Sequence, residues 1–251
     1  AKNTSKAKVR VTEAKGLHFY PGMIDAGTMV GISEISSVRE TSDYGEIGDF
    51  NPQLRAAIAV NPESDHIPVT RANGITSVLV LPATPSAGGR SAGGFIQGQA
   101  SLMHLDGWTW EEMRVEQSAA MLLRLPAMTG GGAFTPSAAQ ARPAGFAEAR
   151  RNYEDQMRTI RAFLEDARRY RAAKLAKDPS LKANLKFEAM LPVLEGRLSL
   201  VVPAARQRDV RLAIEFAEKE GFKLILAGLR DPGNQLKVIA DKKIPVILGS
   251  P

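Results

Sequence analysis

The chain has 251 residues, 44% of them apolar and 24% charged, with a net charge of +6, no cysteine and three histidines. Such a composition belongs to a globular protein able to bury a sizeable core; it excludes disulfides, thiolate metal sites and cysteine nucleophiles, and no apolar run reaches the roughly 18 residues that a membrane span needs. A metal centre built from four imidazoles cannot be assembled from His18, His66 and His104.

In chain order, residues 1–17 are polar and read as a tail or as the last strand of something upstream. The chain opens on Ala1 with neither an initiator Met nor an apolar leader, which reads as a trimmed or partial sequence. His18–Ala26 is the first run with a buried character, and Pro21 and Gly22 punctuate its entry. Residues 31–49 crowd Glu34, Glu40, Asp43, Glu46 and Asp49 into an acidic loop. Asn51-Pro52 opens a helical stretch with Leu54, Ile58 and Val60 inward, and Asn61-Pro62 stops it. Ile67–Ala72 predicts a further helical turn ended by Gly74, and Ile75–Leu81 a continuous apolar strand closed by Pro82.

Residues 83–94 form a Gly/Ser loop. Phe95–Leu105 reads as a strand, Asp106-Gly107 as a turn, and Thr109 as the N-cap of a helix whose first turn carries Glu111 and Glu112, where acids favour the dipole. Met121–Leu125 is a short strand, and 129–145 a second loop rich in Gly, Ala and Pro. Phe146–Leu175 is one long helix, because Tyr153, Met157, Ile160, Leu164 and Ala167 step by four and three and make one apolar stripe. The excess basic charge lies over 142–186, alternating with acids on that helical pattern; this describes a solvated helix face rather than a nucleic-acid footprint.

The last third reads β-α-β-α-β: a strand over Leu198–Val202, a helix over Asp209–Glu220 stopped by Gly221, a strand over Lys223–Ala227, a helix over Asn234–Asp241 and a strand over Ile244–Leu248. Short turns between these units call for parallel strands and right-handed crossovers. Strands rich in Val, Ile and Leu imply burial on both faces. About seven strand candidates can be counted where an α/β barrel has eight. The fold class expected is therefore an α/β barrel of (β/α)8 TIM type over 18–251, incomplete at its C-terminal end, in a natural protein that continues past Pro251. No P-loop or G-x-G-x-x-G motif is present.

Tyr20-Pro-Gly-Met-Ile-Asp-Ala-Gly-Thr-Met-Val-Gly31 resembles the first barrel strand of the amidohydrolase superfamily, in the branch related to imidazolonepropionase, whose pattern is P-G-hydrophobic-I-D-x-H-x-H. Pro21, Gly22, Ile24 and Asp25 match it, and the two metal-binding histidines fall on Gly27 and Met29. Residues 74–78 (GITSV), 93–99 (GGFIQGQ) with 105–108 (LDGW), 198–210 and 242–249 (KKIPVILG) are similar to further segments of the same branch. The resemblance places other metal histidines of the family near Pro203 or Ala205 and near Ala227 or Gly228, and the catalytic aspartate on an eighth strand beyond this chain. It also makes residues 1–17, through 8–13, the remnant strand of a small β-sandwich.

Enzymes of this family hydrolyse C–N bonds of cyclic amides with a metal-activated water. Glycine has no donor, and a thioether is a poor zinc ligand beside imidazole, so Gly27, Met29, Pro203, Ala205 and Ala227 stand as degenerate metal-ligand positions. Asp25, Glu34, Asp43, Glu46 and Trp108 are the candidate residues of the pocket mouth, since barrel enzymes work at the C-terminal ends of their strands. Two readings follow. One is an amidohydrolase-like barrel with no cofactor, a pseudoenzyme that binds a small molecule or pairs with an amidohydrolase-like partner chain, oligomers included. The other is a zinc-dependent hydrolase with alternative ligands or with missing sequence. Neither reading requires nucleic acid or a membrane span, and the bacterial periplasm or cell envelope is the expected location.

Overall fold

The computed structural model describes residues 13–35, 38–82, 94–126 and 146–248. The remnant strand expected over 8–13 and the loops expected over 83–94 and 129–145 fall almost wholly outside them. Seven strands pair in chain order: β1 (Met23–Thr28), β2 (Ile75–Val80), β3 (Ile96–His104), β4 (Arg114–Leu123), β5 (Ser199–Pro203), β6 (Leu224–Leu229) and β7 (Val246–Leu248). Around them lie α1 (Ala56–Ala59), α2 (His66–Ala72), α3 (Trp110–Met113), α4 (Phe146–Leu175), α5 (Leu185–Leu194), α6 (Gln207–Glu220) and α7 (Gln235–Asp241).

Successive side chains of a strand point to opposite faces, and that alternation sorts the apolar residues into layers. Met121 and Leu123 of β4, Leu200 and Val202 of β5, and Leu224 and Leu226 of β6 face outward and pack on α4, α5 and α6. Val78 and Val80 of β2 face outward onto α1 and α2. The residues between them turn inward: Leu81, Ala100, Ala120, Leu122, Val201 and Ala227 form one cluster, joined by Ile225 and Ile247. A Cβ built on Gly27 of β1 would stand 3.3 Å from Ile247 of β7. The first strand thus approaches the last, and the sheet is curled into a nearly closed barrel with a filled interior.

The expected barrel of (β/α)8 TIM type, incomplete with about seven strands, is corrected in one respect. Strands β4 to β7 are mutually parallel, as are β1 and β2, but β3 runs antiparallel to both of its neighbours. The link Leu105–Met113 between β3 and β4 is shorter than the dozen or so residues that a parallel crossover needs. An Asp106-Gly107 turn and the single turn of α3, capped by Thr109 Oγ1 accepting from Glu112 N, reverse the chain instead.

A second correction concerns residues 51–55, expected to open a helix. They lie along β3 as a turn between two bridges, Phe50 with Ile96 and Arg55 with Gln99. Asn51 N donates to Ile96 O, and Gln99 N to Leu54 O. They take the flank of β3 beyond the Val80–Ser101 pair, where β2 ends. Helix begins only at Ala56, so Ala57 and Val60 are buried while Ile58 is exposed. Ser101, fully buried, holds this junction: its hydroxyl accepts from Ala57 N (2.9 Å) and donates to Gln117 O (2.8 Å). Ser101→Ala leaves a buried donor and acceptor unmatched and is expected to lower unfolding free energy by about 1–3 kcal/mol, read from a urea titration.

Helix α4 matches its expected bounds, and its buried Met157, Ile160, Leu164 and Ala167 form the stripe that meets the sheet. Several of its basic residues are paired with acids on this helix or its neighbours. Arg168 donates to the carboxylate of Glu220 at the end of α6 (2.8 Å), and Arg150–Glu154 and Arg158–Asp155 pair along the helix. The run His18–Ala26, expected to be buried, is largely exposed: Phe19 and Tyr20 are each 81% exposed and Ile24 65%. These residues lead into β1, an edge strand of the sheet, and do not reach its interior.

Candidate functional site

The C-terminal ends of β4, β5 and β6 surround a cavity of about 240 Å³. In an α/β barrel this is the end at which ligands are handled. Pro203 and Ala227 are register partners on β5 and β6, and both line it with Ala205. A glycine with φ of +72° at position 228 allows β6 to bulge against β7 just beyond Ala227, and Gly228 is itself part of the wall. Gly27 lies on the inward face near Ile247, which pairs with Ala227. Four of the positions singled out from the sequence, Gly27, Pro203, Ala205 and Ala227, therefore gather at one end of the barrel. The fifth, Met29, does not: it packs outward with the cluster of Ile32, Val60 and Val80.

The polar groups of the cavity are ones that sequence reasoning missed. Arg124 directly follows β4, and Asp209 sits in the first turn of α6, where a carboxylate is favoured by the helix dipole. Arg124 is half-buried, and burial pushes its guanidinium down from the usual arginine value. Among the described residues neither side chain makes an ion pair or a hydrogen bond with a protein group. A signal for both was present: a charged residue abutting an apolar strand run, and an acid opening the helix after the next strand, each at the C-terminal end of a strand.

The expected mouth residues are dispersed. Asp25 accepts a hydrogen bond from Gly27 N (3.1 Å) within β1. Glu34 stands beside His66, whose Nε2 donates to the Glu34 carbonyl (2.9 Å). Asp43 and Glu46 line a separate cavity of about 230 Å³ with Tyr44, Arg55, Pro82 and Gln97, near the end of β2. Trp108 is corrected outright. It follows β3, which runs the other way, so it sits at the opposite end of the barrel, 90% exposed. His104 is at that far end too, paired with Ser77 Oγ at 2.9 Å. Among the described residues no group of three or more His, Asp or Glu side chains is placed to hold a metal ion.

The donor set at the mouth does not fit zinc. Zinc takes imidazole, thiolate or carboxylate ligands, commonly three or four together. The strand ends supply a glycine, a proline and alanines, with one carboxylate and a guanidinium whose positive charge opposes a cation.

No protein-family model matches the sequence, and no curated protein matches it either. Among solved structures, the crystal structure of an amidohydrolase from Thermotoga maritima MSB8 superposes with a TM-score of 0.72 at 22% identity, covering 98% of this chain and 61% of that one. The chain thus spans less than two thirds of the length of the structure it resembles. Together with the curled seven-stranded sheet, that likeness gives the chain an amidohydrolase-like fold.

Proposed function

We propose that this chain is a binding member of the imidazolonepropionase-related branch of amidohydrolase-like barrels, one that holds a small molecule at its mouth and does not run metal-assisted hydrolysis. The observation that carries this reading is the cavity at the ends of β4, β5 and β6, walled by Pro203, Ala205 and Ala227 where the branch offers imidazoles, with a half-buried guanidinium beside them. Hydrolysis of the family type needs an ion that lowers the pKa of a bound water and polarises the scissile carbonyl. The chain's own groups act differently. Arg124 presents fixed positive charge, and the apolar wall excludes water from one side of an occupant.

The test is metal analysis of the purified protein together with hydrolysis assays on hydantoin and dihydroorotate in the presence of added zinc. The expected result is zinc well below one per chain and no hydrolysis above the buffer rate. Stoichiometric zinc with zinc-dependent hydrolysis that disappears in Asp209→Asn would overturn the proposal and favour a hydrolase with alternative ligands.

A further inference from the structure

The mouth cavity carries two opposite charges that do not satisfy each other. Arg124 and Asp209 both line it, yet among the described residues they form no ion pair, and apolar residues such as Leu125 and Leu212 line it with them. Burial removes part of the hydration of such a charge, which favours an occupant that brings the opposite charge to it. A simple carboxylate would match Arg124 but meet Asp209 as a like charge. A simple amine would have the converse problem. A neutral apolar molecule would bury both charges unmatched.

We propose that the cavity binds a small zwitterion of the α-amino-acid type, its carboxylate on the Arg124 guanidinium, its ammonium on Asp209 and its apolar side chain against Leu125 and Leu212. Each charge of the occupant meets its opposite. Guanidinium holds carboxylate through two parallel N–H donors, and the ammonium supplies donors to the Asp209 oxygens. At about 240 Å³ the space lies below the range of drug-sized pockets and suits a molecule of a few carbons beyond the charged head. This inference rests on the reading of a mouth free of metal, and deepens it by naming the class of occupant.

The experiment is isothermal titration calorimetry of the full chain with three probes of one shape: L-leucine, 4-methylpentanoate, which lacks the ammonium, and 3-methylbutylamine, which lacks the carboxylate. Leucine is expected to bind, and each singly charged probe to bind at least about tenfold more weakly, because removing one partner leaves a protein charge unmatched. In Asp209→Asn the preference for leucine over 4-methylpentanoate is expected to vanish. In Arg124→Met leucine binding is expected to fall at least about tenfold, and Arg124→Lys to recover part of it. Circular dichroism and Tm identify any variant that has not folded, and the three-probe comparison on the unmodified chain stands without variants. No heat with any probe overturns the inference. So does equal binding of leucine and 4-methylpentanoate, which describes a plain anion site, or a preference that survives Asp209→Asn. A protein free of zinc that ignores leucine defeats only this inference, whereas stoichiometric zinc defeats the reading beneath it.

Discussion

Ile160→Ala is expected to lower the free energy of unfolding by about 2–5 kcal/mol, measured as a shift in the urea midpoint at constant slope. Ile160 is fully buried at the middle of α4, in the cluster that also holds Leu164, Met190, Val202 and Phe216. Deleting its outer carbons removes their transfer free energy and leaves a void that helices on both sides can close only in part. The spread of the expected range reflects how far α5 and α6 relax toward the gap. A neighbouring surface change such as Arg158→Ala, which removes only an exposed pair with Asp155, is expected to cost under about 1 kcal/mol. Near-equal effects of the two would mean that α4 does not pack on the sheet as described.

That contrast also explains what the sequence makes legible. A 3.6-residue apolar stripe is a local pattern, so α4 can be read end to end, and Gly221 at φ of +75° closes α6 where a glycine C-cap is expected. Strands β5 and β6 are read nearly as well, because buried parallel strands are continuous apolar runs, and β7 is read from the same kind of run although Leu248 is exposed. What is not legible depends on partners distant in the chain. Residues 51–55 carry helix-opening chemistry, yet Ile96 and Gln99 capture their backbone groups into the sheet. Helix α5 is concealed by Pro192, which reads as a breaker although the helix tolerates it in its last turn, and it is started by Asn184 accepting from Lys186 N and Phe187 N. The site follows the same rule. Pro203, Ala205 and Ala227 can be placed at strand ends from the chain alone. That Arg124 and Asp209 share a cavity with them depends on the curl of the sheet. Trp108 lies at the far end because β3 runs backwards, and nothing local to Trp108 reveals that direction.

The double variant Gly27→His/Met29→His introduces the two imidazoles of the pattern that this segment resembles, and it is expected to lose stability and gain no zinc site. In a regular strand, residues two apart point the same way and can share one ion. Here β1 ends at Thr28 and its register against β2 breaks between Asp25 and Thr28. Position 27 consequently faces the barrel interior, while Met29 packs into the outer cluster with Ile32 and Val60. Imidazoles at these positions would enter different layers and could not meet at one metal. At position 27 the Cβ alone would touch Ile247 at 3.3 Å and Leu81 at 3.6 Å, and the ring must displace them. Overpacking of this kind costs about 1–3 kcal/mol, and a polar ring in place of the Met29 thioether adds to it. Urea denaturation reads the stability, and zinc competition against a chelator reads the metal. The cause is separable: Ile247→Ala combined with Gly27→His opens the space and should return part of the lost stability, a coupling that two unrelated sites would not display. Tight one-to-one zinc binding by the double histidine variant would mean that β1 still presents both positions to the mouth.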